Sequence, residues 1–345
     1  MRSPIATEWS VPRVVVTGGA GFIGSHLVEQ LLGEGHEVHV VDDLSTGRLA
    51  NLASVAQDPR LHVHEQDVAD FARLVPVVRG ASRVFHLAAL ADIVPSIEQP
   101  LAYAHANVDG TMAVLEAARQ CGVSRFVYAA SSSCYGIPDA YPTAEDAPCR
   151  PQYPYALTKY LGEQAVMHWA QVYGLPAVAL RLFNVYGPRS RTGGTYGAMF
   201  GVFLAQKLAG RPFTVVGDGT QSRDFTYVTD VADAFVRAAA SDVRGVSLNV
   251  GTGRPVTVNR IVELLGGEVV RLPKRPGEPD CTHADTARIE ALLGWRAKVD
   301  IEAGVRTMLA NIADWRDAPV WTPATIEGAT SAWFQHLGRG SDAHH

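Results

Sequence analysis

Val14-Val15-Val16-Thr17-Gly18-Gly19-Ala20-Gly21-Phe22-Ile23-Gly24 is the stretch that decides the fold. Three β-branched residues favour a strand, and the glycines stop it. Beyond them Ile23, Leu27, Val28, Leu31 and Leu32 recur at helical spacing until Gly33 and Gly35 break the stripe. A strand, a glycine turn and a helix in that order are what a dinucleotide site needs. Gly18 permits the tight turn, Gly21 lets backbone approach a pyrophosphate, and Gly24 lets the helix pack on the strand. The phosphates would meet the helix N-terminus at Phe22 and Ile23, where N–H groups and the helix dipole favour anions. Asp42 closes the next strand, Val38 to Val41, at the right distance to accept hydrogen bonds from the adenosine ribose. A carboxylate there repels a 2′-phosphate, which points to NAD over NADP.

Outward from this unit the rhythm continues. Leu61 to His64, Arg83 to Leu87, Arg125 to Tyr128 and Ala177 to Leu180 read as strands. Helical patterns lie between them, at about 97–119 and 155–173. Strands alternating with helices predict an α/β fold, a Rossmann doubly wound parallel sheet with helices on both faces. After Asn184 the alternation breaks at the Gly- and Arg-rich run 187–194, and shorter elements follow: a helix near 198–208, the strand Phe213 to Val216, and a helix at 231–240. The expected organisation is an NAD-binding domain over 1–183, a smaller C-terminal α/β substrate lobe over 184–337, and a mobile polar tail over 338–345. Ser247 to Val250 can rejoin the main sheet as a late strand.

With 345 residues, 47% of them hydrophobic, the chain can bury a large core. A net charge of −5 with no basic run gives no electrostatic footprint for nucleic acid or an anionic membrane. No apolar stretch is long enough to span a bilayer, and the N-terminus has no signal-peptide core. Cys121, Cys134, Cys149 and Cys281 stand at no metal-ligand spacing and read as reduced thiols of a cytoplasmic protein. The histidines are scattered, so no metal is expected.

Among eleven tyrosines only Tyr155 has a lysine four residues on, Lys159. On a helix that spacing puts phenol and ammonium on one face. A nearby cation favours the phenolate, so the pair can act as acid and base for a substrate hydroxyl. The bland reading is a Tyr/Lys pair on a solvated helix face.

Taken in order, several motifs complete the picture. They are Thr17 to Gly24, Asp42-Asp43-Leu44-Ser45, His86-Leu87-Ala88-Ala89, Ser131-Ser132-Ser133-Cys134-Tyr135-Gly136, the Tyr155/Lys159 pair, Arg181 to Pro188, and Gly217-Asp218-Gly219 leading to Arg223-Asp224-Phe225. In these motifs the chain, from about Val14 to Trp295, resembles the extended short-chain dehydrogenase/reductase family, and within it the NAD-dependent nucleotide-sugar 4-epimerases.

The resemblance implies roles residue by residue. Tyr155 is the base, Lys159 holds the nicotinamide ribose and depresses the Tyr155 pKa, and Ser131 bridges the phenol and the sugar 4-OH. Cofactor contacts are implied at Gly18, Gly21, Phe22, Ile23, Gly24, Asp42, Asp43, Ser45, Thr46, Gly47, Asp67, Val68, Leu87, Ala88, Ala89 and Asn107, with Asp67-Val68 at the adenine edge. Substrate contacts are implied at Ser132, Ser133, Asn184, Val216, Arg223, Arg275, Glu278 and Thr282. Bland alternatives remain for some: a polar turn at Ser131 to Ser133, backbone capping by Asn184, a surface ion pair of Arg223 with Asp224.

The implied reaction is inversion at C4 of a nucleotide-diphosphate sugar, a UDP-hexose or UDP-N-acetylhexosamine, through a 4-keto intermediate. Dehydratases and decarboxylases of this scaffold carry an acid two residues before the tyrosine that Tyr135 matches. Ser133 stands there, so elimination lacks its second acid/base group. Thr282 falls at the position that gates sugar size, and a small residue leaves room for a 2-acetamido group. Arg189 and Arg191 keep a uronate 4-epimerase open as an alternative, since a 6-carboxylate would want an Arg. A dehydratase or net oxidoreductase of the same fold is the other. Departures from the family pattern are Ala91 for a Lys, Leu182 for a Tyr, Val216 for an aromatic on uracil, and a missing proline in Thr195 to Phe200. The resemblance also implies a homodimer through the two long helices, and a setting in polysaccharide-precursor synthesis.

Overall fold

The computed structural model describes residues 11–190 and 199–338. Arg191, residues 195–198 of the proline-lacking segment and the tail 339–345 lie outside them.

The first half runs β1 (Arg13–Thr17), α1 (Phe22–Gly33), β2 (Glu37–Asp42), β3 (Leu61–Glu65), α2 (Phe71–Val78), β4 (Arg83–His86), α3 (Ile93–Glu98), α4 (Pro100–Ala104), α5 (Gly110–Gln120), β5 (Arg125–Ser131), α6 (Pro154–Tyr173) and β6 (Ala177–Leu182). The second half adds β7 (Asn184–Tyr186), α7 (Met199–Leu208), β8 (Phe213–Val216), β9 (Ser222–Arg223), β10 (Phe225–Tyr227), α8 (Val228–Ala240), β11 (Val246–Val250), β12 (Val256–Thr257), α9 (Val258–Leu265) and β13 (Val269–Leu272). Helices over Ala287–Leu293, Ile301–Ala310, Pro323–Ala329 and Ser331–Leu337 follow.

Seven strands form one parallel sheet in the order β11-β6-β5-β4-β1-β2-β3. The Rossmann order reverses between β1 and β4, and the crevice above that point is where such sheets bind ligands. The opening valines show why both faces are covered. Val14 and Val16 pack into the layer of α1 and α8, while Val15 packs into the layer of α2, α5 and α6. A strand buried on both faces reads as a continuous apolar run, with no alternation. β11 pairs with β6, Val246 opposite Val178 through Val250 opposite Leu182, so a late segment completes the sheet. The remaining strands make two-stranded pairs, β7–β10, β8–β13 and β9–β12, around a separate core holding Phe200, Phe203, Phe213 and Trp315.

The helix expected over 97–119 differs. α3 ends at Glu98, and the next residue, Gln99, leaves the helical conformation (φ −130°, ψ 57°) because Pro100 follows. The chain then runs on from α4 to α5 through a π-helical turn, His105–Asp109. That extra residue turns Asn107 inward. Its amide donates to Leu90 O (3.0 Å) and Thr158 Oγ1 (3.0 Å), and its Oδ1 accepts from Leu90 N (2.8 Å). The π turn thereby anchors the loop that leaves β4 toward the crevice.

The scattered histidines also meet. His39 on β2 stacks on His62 (4.5 Å) and His64 (5.2 Å) of β3, with Glu37 Oε1 at 2.9 Å from His39 Nε2. His39 Nδ1 lies 2.9 Å from His64 Nε2 and 3.2 Å from Arg13 Nη2, so hydrogen bonds already use both nitrogens of His39. Among the described residues no helix is long and apolar enough to cross a membrane.

Candidate active site

The crevice at the C-terminal ends of the strands opens into a cleft of about 920 Å³ between the sheet and the second-half lobe. The glycine turn forms its floor. Gly18 sits at φ +69°, and a Cβ there would lie 2.7 Å from Ala88 N. A Cβ on Gly24 would collide with Gly18 O. The turn is therefore packed against the segment that leaves β4, with no room for side chains. Gly21 caps α1 without a side-chain hydrogen bond, so backbone alone faces the cleft at that helix N-terminus. This bare cradle fits a dinucleotide pyrophosphate.

Asp42, at the end of β2, accepts from Ala20 N (2.9 Å) and Leu44 N (2.9 Å). Burial raises its pKa, the Leu44 and Ala20 N–H groups pull it back, and Asp43 adds to the rise. A carboxylate has room for further hydrogen bonds, so its lone pairs remain open to ribose hydroxyls. Gly47 does not line the cleft. A Cβ there would stand 2.6 Å from Asp42 Oδ1, so its absence leaves the carboxylate in place. Asn107 does not line the cleft either, being fully buried as described. Asp67 does line it, but its oxygens are held by Ala69 N (2.8 Å) and His105 Nε2 (3.1 Å).

At the other end of the cleft β5 delivers Ser131 and the first turns of α6 deliver Tyr155 and Lys159. Pro154 occupies the first helical position, where its missing N–H costs nothing. A Cβ on Gly162 would clash with the Tyr128 hydroxyl, so glycine lets α6 lie close on β5. The Tyr155 hydroxyl donates to Ser131 Oγ at 3.3 Å, and Ser131 Oγ lies 2.8 Å from Ser133 Oγ. Three hydroxyls thus form a chain across this end of the cleft.

One expectation is corrected. Burial pushes the Tyr155 phenol up, with the Ser131 hydrogen bond pulling it partly back. Lys159 is not among the groups that lower it. Lys159 is itself buried, and desolvation drives it down to about 7 against the opposing pull of Glu163. Its Nζ sits 4.3 Å from the Tyr128 ring centroid, and an ammonium already inclined to lose its proton offers the phenol little field.

The residues expected to contact substrate converge on the facing wall. Arg223 Nη2 meets Glu278 Oε1 at 2.8 Å, and Arg275 Nη1 lies 3.7 Å from Glu278 Oε2. The implied partner of Arg223 is thus Glu278, while Asp224 accepts from Thr252 N, Gly253 N and Ala284 N. Thr282 Oγ1 donates to Asn184 Oδ1 (2.7 Å) and accepts from Asp224 N (3.0 Å). Val216, Ser132 and Ser133 also line the cleft. Arg189 does not; it pairs with Glu29 at 2.5 Å.

Sequence reading missed several cleft residues. Tyr153 stacks on Tyr155 (6.4 Å, 10°) and contacts Trp333 (6.1 Å), whose Nε1 donates to Pro276 O. Asp92, Gln221 and Trp321 line the cleft as well. Tyr153, two residues before Tyr155, and Gln221, between Gly219 and Arg223, lie beside motifs the sequence offers. Trp321 and Trp333 come from a segment with no motif.

A family model described as NAD dependent epimerase/dehydratase matches residues 14–251. The chain belongs to the NAD-dependent epimerase/dehydratase family. It is 38% identical over 306 residues to a UDP-glucose 4-epimerase of Mycolicibacterium smegmatis, covering 85% of this chain and 96% of that protein. Among solved structures it is similar to a UDP-N-acetylglucosamine 4-epimerase from Methanobrevibacter ruminantium in complex with UDP-N-acetylmuramic acid, at TM-score 0.82 and 33% identity, over 87% of this chain and 99% of that one. It is equally similar in fold to DesIV, a dTDP-glucose 4,6-dehydratase from Streptomyces venezuelae with NAD bound, at TM-score 0.82 and 30% identity, over 88% and 99%. NAD dependence comes with the family, and the glycine cradle and Asp42 fit it. Fold alone leaves epimerases and dehydratases together, so the reaction is decided by the site.

Proposed function

We propose that this family member is an isomerase, an NAD-dependent 4-epimerase of a UDP-linked sugar. The observation that carries the reading is the Tyr155–Ser131–Ser133 hydroxyl chain, with a serine where dehydration or decarboxylation would want a carboxylate. Tyr155 takes the proton of the sugar 4-OH and Ser131 holds that hydroxyl in line. Bound NAD supplies a hydride acceptor that is regenerated in each turnover. The 4-keto sugar turns about its diphosphate link, so that C4 would take the hydride back on its other face while Tyr155 returns the proton to O4. Lys159 holds the nicotinamide ribose. Arg223 and Arg275 hold the diphosphate, with Glu278 placing both guanidinium groups and reaching the second ribose. The residues from Asn184 on act as the nucleotide-sugar lobe, with Val216 beside the base.

Thr282 supports acceptance of a 2-acetamido sugar. Thr282→Tyr should abolish turnover of the acetamido substrate and spare the plain hexose; equal losses on both would reject the assignment. A second reading, a uronate 4-epimerase, has less support because Arg189 is engaged by Glu29. Exposed Leu157 and Leu161 on α6, with Met112 on α5, support pairing of two copies through these helices. Work on polysaccharide precursors in the cytoplasm fits this reading. The test is incubation with a panel of nucleotide sugars followed by NMR of the anomeric and H4 signals. Inversion at C4 alone supports the proposal; loss of water or carbon dioxide overturns it.

A further inference from the structure

Two of the four cysteines, fifteen residues apart in sequence, meet under the proposed catalytic hydroxyls. Cys134 lies on the turn Ser132–Tyr135 that follows β5, and Cys149 lies in the segment that leads into α6. Their Sγ atoms are 3.7 Å apart, with the Cys149 thiol donating to Cys134. Tyr135, Phe183 and Ala284 surround Cys134, and Ala147 and Tyr160 pack beside the pair. The two segments are pressed together next to the thiols as well: a Cβ on Gly136 would clash with Arg150 O. Cys134 is fully buried, while Cys149 is partly exposed and can be reached by a small oxidant.

We propose that Cys134 and Cys149 form a reversible disulfide that switches off the proton relay of the active site. The chemistry balances with a peroxide as oxidant. The Cys149 thiolate attacks one peroxide oxygen, the O–O bond breaks, and Cys149 becomes a sulfenic acid with release of hydroxide. Cys134 then attacks that sulfur, and hydroxide leaves and takes up the Cys134 proton as water. Overall two thiols lose two electrons and hydrogen peroxide becomes two waters. A small dithiol reverses the bond by exchange.

The site favours that order of events. Once Cys149 ionises, the Cys134 S–H turns to donate to it, and this hydrogen bond, with the Arg181 cation nearby, brings the Cys149 thiol down to about 7. The same contact pushes Cys134 up, keeping it a thiol until the sulfenic acid has formed. A disulfide bond is about 2.05 Å long, so the sulfurs must approach by roughly 1.7 Å. That movement pulls on catalytic residues from both sides. Ser131 is three positions before Cys134, and Tyr153 and Tyr155 are four and six positions after Cys149. The Tyr155–Ser131 hydrogen bond is already long at 3.3 Å, so a shift of either segment opens it.

The test uses the full-length protein with its native nucleotide content. It is treated with hydrogen peroxide at low molar excess, then alkylated, digested and mapped by mass spectrometry, while turnover is followed on the substrate that the reduced enzyme converts. The expected result is a linkage between the peptides of Cys134 and Cys149, a mass lower by 2 Da, at least a tenfold fall in kcat, and full recovery in dithiothreitol. Cys149→Ser should keep the reduced rate and lose the peroxide response. If that variant folds poorly, Cys149→Ala replaces it, with the peptide map of the wild type as an independent readout. Recovery of both residues as free thiols, or as a sulfinic acid at Cys149 beside a free Cys134, overturns the proposal. So does a formed disulfide with an unchanged rate.

Discussion

Lys159 should cost this protein stability at neutral pH, and the cost should fade as the solution becomes alkaline. The side chain is 4% exposed. Burial lowers its pKa from 10.5 to about 7. In the unfolded chain it keeps the ordinary value. Between pH 7 and 10.5 the unfolded state therefore binds more protons than the native state, and stability rises with pH across that window. The full penalty, present below about pH 7, is about 5 kcal/mol for a gap of about 3.5 pH units. By pH 9 it has fallen to roughly 2 kcal/mol. Lys159→Met keeps the length of the side chain and removes the charge. Urea unfolding of nucleotide-stripped wild type and variant, at pH 7 and pH 9, cancels any constant packing difference between them. The advantage of the variant over wild type should shrink by about 2 kcal/mol between the two pH values. Parallel pH dependence in the two proteins would show that Lys159 is not driven toward neutrality, and the account of its weak influence on Tyr155 would go with it.

Tyr155→Phe should lower kcat by about 10²–10⁴-fold while leaving bound NAD and the melting temperature unchanged, since only one hydroxyl is lost; near-normal turnover would remove the proposed base. Gly18→Ala places a Cβ 2.7 Å from Ala88 N at a φ of +69°, and should cost about 1–3 kcal/mol in denaturant titration and empty the cofactor site, read by absorbance of released nucleotide. Glu163→Gln strips the buried Arg181 of its charged partner, which now binds it at 2.7 Å, and should destabilise the fold by about 3–5 kcal/mol in the same titration.

Most of the cofactor half was legible in the sequence because its constraints are local. A tight turn, a close backbone approach and an acid at a strand end each need one residue type at one position, and Gly18, Gly24 and Asp42 hold those positions. The seven-stranded sheet followed from alternating patterns, including the late strand at Ser247 to Val250. What was not legible depends on distant segments. Nothing near Trp333 indicates that it reaches Tyr153, and nothing near Cys149 indicates Cys134. The Lys159 expectation failed for a related reason. Spacing places an ammonium on the same face as a phenol, but the buried surroundings decide whether it stays charged, and Tyr128 and the sheet supply those. The break at Gln99 was readable from Pro100; the π turn that follows, which aims Asn107 at Leu90, carries no comparable mark.

In the proposed reaction a hydride leaves C4 of the sugar and returns to the same carbon from the other face. It is tested most directly with a UDP-sugar deuterated at C4, converted by the protein with no NAD added beyond what it holds, and read by NMR. The inverted product should carry its deuterium still on C4, with none in solvent and no keto-sugar accumulating. Deuterium lost to solvent, deuterium moved to C6 with release of water, or a net yield of NADH matching product would contradict it.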